Sequence, residues 1–339
     1  MKKLTLALLF SAFTLVTMAQ PSATDAELAK SSEITGAGTF FKPKLIYSLT
    51  KLGLAQLSVG FKQVSTKSVT KREKKPGVFG GQPGKAATGS VSAYLNITDD
   101  ELTDADYQEI TDHFYNYFQK VLKQNNIDTV AWSTIANAEF FKDGKEANAK
   151  DEDKEQAVVY YNANNGNSMY NGKTGFAFGK IKKAARFCEE IGAPAAFIYT
   201  TVDFADILVD VEVKTTGYKS TWTPSYNTVG QVTKSKSKTS VAAFMKIPAY
   251  SGSSLFYNEK SATELFTVIK DIPAEMNYAD ELTEDPSLLK KRSKLFSVSF
   301  SKKLESTPVV ISSTKLQYKN AAKKALERYA DALVAKSKG

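Results

Sequence analysis

Cysteine and histidine are nearly absent: the 339-residue chain has one of each. A single cysteine excludes an internal disulfide, and a single histidine excludes a multi-histidine metal site. No G-x-S-x-G elbow and no D-x-D-x-D-G calcium loop occurs. After residue 20 no apolar run reaches the ~20 residues that a membrane helix needs. No fixed-period repeat is present. What is there is globular: 42% hydrophobic, 24% charged and 11% aromatic residues. Such a balance excludes a disordered tail, a collagen-like fibre and a disulfide-stapled miniprotein. Lys and Arg number 45 against 36 Asp and Glu, a net charge of +9.

The amino end reads as an export signal. Lys2 and Lys3 precede an apolar run over residues 4–18, and Thr17-Met18-Ala19 offers small residues for cleavage. The expectation is a bacterial signal peptide at 1–19 and a single exported α/β domain at 20–339, periplasmic or secreted. No cysteine near the cleavage site could carry a lipid. Cys188 shares one helical face with Ile181, Ala184, Ala185 and Ile191, which predicts burial.

The expected fold class is α/β (α+β), a mixed sheet packed by amphipathic helices, with a long exposed antiparallel hairpin. Residues 20–38 read as a loosely held arm. Residues 54–61 alternate weakly and suggest a strand. Residues 62–89, 138–175 and 214–240 read as long polar loops, the last forming the outer part of a hairpin over 207–247. Thr103 and Asp106 announce a capped helix with an apolar stripe from Tyr107 to Leu122. A helix over 179–191 stops at Gly192, and a buried strand follows over 194–202. Strands are expected near 128–132, 295–301 and 309–312. Residues 256–269 suggest a strand end and a helix, 271–286 an acidic loop, and 316–336 a closing helix.

Three stretches carry a resemblance: residues 110–132 (ITDHFYNYFQKVLKQNNIDTVAW), 179–201 (GKIKKAARFCEEIGAPAAFIYTT) and 241–259 (VAAFMKIPAYSGSSLFYNE). Their order, a helix into a strand, a helix into a buried strand and a strand pair, resembles the CsgG/TolB-N-terminal type of periplasmic α/β module. The resemblance implies an envelope scaffold, adaptor or secretion-pore subunit rather than an enzyme. Lipid-anchored members of that group carry an N-terminal cysteine, which this chain lacks. Pore-forming members carry hairpins with one lipid-facing apolar row, whereas here Lys234, Lys236 and Lys238 occupy one face of a strand. Lysine at mid-bilayer costs ~2–4 kcal/mol, so no membrane span is expected.

The chemistry-bearing residues point away from catalysis. His113 lies between Asp112 and Phe114, but adjacent helix positions point about 100° apart, which favours a helix-surface residue. Residues 80–85 (GGQPGK) mimic a phosphate loop, yet Ala86 stands where Ser or Thr must hold magnesium, and Pro83 removes an N–H. Asp203, Asp206 and Asp210 could supply paired carboxylates for glycoside cleavage or a weak cation site; a structural role is the expectation. No cofactor and no metal is called for.

The binding candidates are basic or aromatic. Lys71, Arg72, Lys74 and Lys75 in the basic loop, with Lys234, Lys236 and Lys238, could hold an anionic lipid headgroup, lipopolysaccharide or acidic glycan. Alternating lysine also protects a strand edge from aggregation. Tyr218, Trp222 and Tyr226 near the hairpin tip could stack on a sugar or a partner. The function expected is a non-enzymatic cell-envelope binding or adaptor protein. The alternative is a subunit of an envelope export assembly, and the more distant one a glycan hydrolase using Asp203 and Asp206. The partner is then an envelope protein or an anionic envelope polymer, not nucleic acid, and a homo-oligomer stays open.

Overall fold

The computed structural model describes residues 25–36, 45–72, 86–139, 150–153, 157–165, 178–223, 226–249, 251, 253–283 and 308–338. Helix α1 (Asp25–Lys30) and strand β1 (Ser32–Gly36) come first. Strand β2 (Lys51–Lys62) continues past Gln63 into β3 (Val64–Arg72), which pairs with β4 (Ala86–Ile97). Helix α2 (Asp104–Gln124), the short β5 (Asp128–Thr129) and helix α3 (Trp132–Asn137) follow. Strands β6 (Lys150–Asp153) and β7 (Val158–Asn162) precede helix α4 (Phe178–Ile191) and β8 (Ala195–Val202). Past residues 203–205, β8 leads into β9 (Asp206–Thr223), which pairs with β10 (Tyr226–Ala242). The short strands β11 (Lys246–Ile247), β12 (Ser253–Tyr257), β13 (Thr263–Val268), β14 (Ile272–Pro273) and β15 (Glu281–Thr283) lead to β16 (Val309–Ser313) and helix α5 (Lys315–Ser337).

The main sheet runs β1-β13-β12-β8-β2-β7-β6, with β5 on the start of β2. Its centre is the parallel pair β2 and β8, and antiparallel strands flank it. One face carries α2 and α5: Leu52, Leu57, Val59 and Phe61 share a buried cluster with Ile110, Phe114, Leu326 and Tyr329. The other face carries α3 and α4, where Ala55 and Phe197 meet Ile135, Phe187 and Cys188. Burying such a side chain contributes ~1.5–3 kcal/mol. Helices plus mixed sheets are thus the α/β (α+β) architecture that the sequence called for.

Local chemistry explains the element ends. Thr103 caps α2 reciprocally: its side chain accepts from Asp106 N, and Asp106 Oδ2 accepts from Thr103 N at 2.9 Å. Thr314 and Gln317 do the same for α5. Gly192, at φ +64°, ends α4 in the left-handed conformation that glycine adopts without steric cost. In β2 the pairing with β8 skips a residue between Leu54 and Gln56. This bulge reverses the side-chain phase, so Leu52 and Leu54 face the same core as Leu57, Val59 and Phe61. The alternation in the sequence looked weak for that reason.

Several segments differ from expectation. The arm at 20–38 contains α1 and β1; Leu28 and Ile34 are buried, and β1 pairs with β13. Loop 62–89 contains β3 and the start of β4, a ladder of hydroxyls rather than hydrophobes: Thr66 meets Ser92 at 3.0 Å and Thr70 meets Thr88 at 2.7 Å. Loop 138–175 contains β6 and β7, and the described residues of 214–240 are all strand, as a hairpin requires. Residues 128–132 form only a two-residue strand before α3. Residues 256–269 hold β12 and β13 with no helix, and 271–286 contributes β14 and β15. The signal segment 1–19, the strand expected at 295–301 and the phosphate-loop mimic at 80–85 lie outside the described residues. Among the described residues no helix is long and apolar enough to cross a membrane.

Candidate functional site

The central parallel strands leave the main sheet at the same end. Their last rung is Phe61 opposite Val202. Beyond it β2 passes into the β3–β4 hairpin, and β8 passes into the β9–β10 hairpin. The second hairpin has arms of 18 and 17 residues, a length of about 60 Å at ~3.3 Å per residue. Its ladder slips once, between Val232 and Thr233.

A cluster of charged side chains ties the two roots together. Asp203 follows the last rung and is 4% exposed. Its Oδ2 accepts from Lys62 Nζ at 2.6 Å and from Ser65 Oγ at 3.3 Å. Its Oδ1 accepts from Ala205 N at 3.2 Å, a side-chain turn that swings the chain from β8 into β9. Its backbone exchanges two hydrogen bonds of 2.9 Å with Lys246. Lys246 Nζ in turn donates to Asp206 at 2.5 Å and Asp271 at 2.6 Å. Burial opposes the charge on Lys246, but the two carboxylates outweigh it and raise the amine's pKa above its ordinary value. Burial likewise works against Asp271, yet Lys246 and the Ala249 N–H hold its carboxyl below the usual range. Tyr278 donates to the Phe204 carbonyl, and burial together with Asp203 keeps its phenol protonated well above the usual range.

This arrangement leaves Asp203 and Asp206 committed to different lysines. A glycosidase needs two carboxylates facing each other across an open cleft; Asp203 lies beneath Lys62 and Ser65 instead. Among the described residues no group of His, Cys, Asp and Glu is placed to hold a metal ion. His113 Nε2 lies 2.9 Å from Glu327 Oε1 and joins α2 to α5. Burial pushes the Cys188 thiol up to about 12, and its Sγ donates to the Tyr257 carbonyl. The cleft between Gln56, Tyr115, Trp132 and Asn162 is too tight for a water-sized guest.

The described basic and aromatic candidates fall on the hairpins. Lys71 pairs with Asp210 at 2.5 Å across the two hairpins, both side chains exposed. That lysine holds the Asp210 carboxyl below its usual range. Arg72 stands opposite Ala86; its side chain, with the whole of Lys74 and Lys75, lies outside the described residues. Lys234, Lys236 and Lys238 stand opposite Lys214, Glu212 and Asp210. Two of the three lysine positions therefore stand opposite an acid, and Lys234 stands opposite another lysine. The other face pairs Ile207, Val209, Val211 and Val213 with Val241, Thr239, Ser237 and Ser235, and Ile207 and Val211 are buried. Tyr218, Trp222 and Tyr226 stand opposite Gln231, Asn227 and Thr223 in the outer ladder; their side chains are outside the described set. The sequence reading overlooked Lys62, Ser65, Lys246 and Asp271. The available signal was a charge directly after each buried strand, Lys62 after Phe61 and Asp203 after Val202.

The hairpins also have strand edges outside any ladder. β3 pairs only with β4, and β9 and β10 pair only with each other, so among the described residues one edge of each lacks a ladder partner. Such edges accept strands from other chains. No family model, curated protein or solved structure matches this chain.

Proposed function

We propose that the protein is a non-enzymatic subunit of an exported cell-envelope assembly, in which the hairpins join one copy to the next. The observation that carries this reading is the set of open edges on β3, β9 and β10. They lie on two hairpins that spring from one end of one sheet. A strand edge without a ladder partner gains hydrogen bonds when a neighbouring strand docks on it. The resemblance to envelope modules that include secretion-pore subunits agrees with this reading, and the export-type amino end is consistent with a periplasmic or secreted location.

Capture of an anionic polymer has less support, because Lys71 is paired with Asp210, and Lys236 and Lys238 stand opposite acids. The test is light scattering on residues 20–339, with and without mild detergent. The expected result is one defined species several times the monomer mass. Replacing residues 215–233 by an Asn-Gly turn should return it to monomer with the main sheet intact. A full-length chain that stays monomeric in both solutions overturns the proposal.

A further inference from the structure

Lys62 and Asp203 occupy the position of the next rung after Phe61 and Val202. Backbone pairing between β2 and β8 stops there, and a side-chain ion pair of 2.6 Å takes its place. Asp203 bonds Lys62 and Ser65 at the root of the β3–β4 hairpin. It also bonds Ala205 N at the root of β9 and the Lys246 backbone just beyond β10. Its carboxylate thus touches the entry to both hairpins, and its backbone the exit of the second. Asp203 and Ser65 are buried, and Lys62 is largely covered. Breaking such a pair leaves an uncompensated buried charge, which resists independent movement of the partners.

We infer that the Lys62–Asp203 pair couples the two hairpins into one rigid unit, so that a strand docked on β10 fixes the position of β3. Asp203 is a positioning residue. The consequence for assembly, that copies add cooperatively, rests on the function proposed above; the coupling itself does not. A second link, Lys71–Asp210, is exposed and is screened by salt.

The test places spin labels at Lys67→Cys and Lys238→Cys in a Cys188→Ala background and measures the distance between them at high salt. The native pair should give a narrow distribution. Asp203→Asn and Lys62→Met should broaden it at least twofold, and Lys62→Arg, which keeps the cation, should leave it narrow. If Asp203→Asn does not fold, Lys62→Met carries the comparison. Equal widths in the native protein and both disrupted variants overturn the inference. Light scattering of the same proteins over concentration separates the two claims. A native protein that stays monomeric while the variants broaden removes the assembly reading and upholds the coupling. Steep assembly in the native protein that becomes graded in Asp203→Asn supports both.

Discussion

The Arg328 guanidinium meets the Glu275 carboxylate in a pair whose side chains are 6% and 8% exposed. Among the described residues Arg328 Nε and Nη2 have no hydrogen-bond partner, and Glu275 sits at φ +56°. The pair pins the segment after β14 against α5. Losing one partner of a buried pair costs about 3–5 kcal/mol, whereas replacing both by packed apolar groups is often neutral. Glu275→Ala should therefore lower stability by about 3 kcal/mol. Adding Arg328→Met should recover most of it. Urea unfolding of the two single variants and the double variant decides this; additive losses would contradict it.

The α2–α5 interface predicts an acid limb. Lys319 bridges Asp106 and Glu109, Lys323 adds to Glu109, and Lys315 reaches Asp106 and Asp100. Burial opposes ionisation of Asp106, but bonds from Thr103, Lys319 and Lys315 hold its carboxyl far below the usual range. Lys319 and Lys323 lower Glu109. A carboxyl depressed on folding contributes stability above its unfolded pKa of about 4, and that contribution is lost as pH falls through the folded value. Stability should fall below about pH 4, and Asp106→Asn should flatten that limb. Melting temperature against pH for both proteins is the measurement; parallel curves would sink the assignment.

Gly60 is a packing position. A Cβ there would stand 2.7 Å from Tyr160, 2.8 Å from Val158 and 3.0 Å from Thr201. Gly53 meets chiefly the end of the Ile191 side chain, at 2.5 Å, which can turn aside. Overpacking costs about 1–3 kcal/mol, so Gly60→Ala should destabilise more than Gly53→Ala. The order of their unfolding midpoints checks it.

Cys188 should be chemically silent in the native state. Its thiol is buried and pushed up to about 12, and the thiolate is the reactive form. A disulfide reagent at pH 8 should label it only after denaturant is added. Rapid labelling of the folded protein would place the thiol at the surface.

What could be read from the sequence was local. Thr103 with Asp106 and Gly192 after Ile191 are short-range signals, and both elements are where those residues put them. β3 escaped notice because Thr66, Ser68 and Thr70 supply hydroxyls where a strand usually shows hydrophobes. The phase change at Ala55 is invisible without β8 beside it. The Lys62–Asp203 pair spans 141 positions, and no window along the chain joins them. The hairpin over 207–247 was legible, since its valines alternate with acids; its open edges were not, because an edge is defined by which strand fails to arrive.

Pairing across the whole chain has a consequence for how this protein is made. β1 waits for β13, β4 waits for β16, and the core of the main sheet stays uncovered until α5 packs on it. A chain emerging amino end first cannot close its fold before its last helix is available. Such long-range closure is slow. The same delay keeps the emerging polypeptide threadable, so crossing a membrane in the unfolded state and folding on the far side are compatible in this topology.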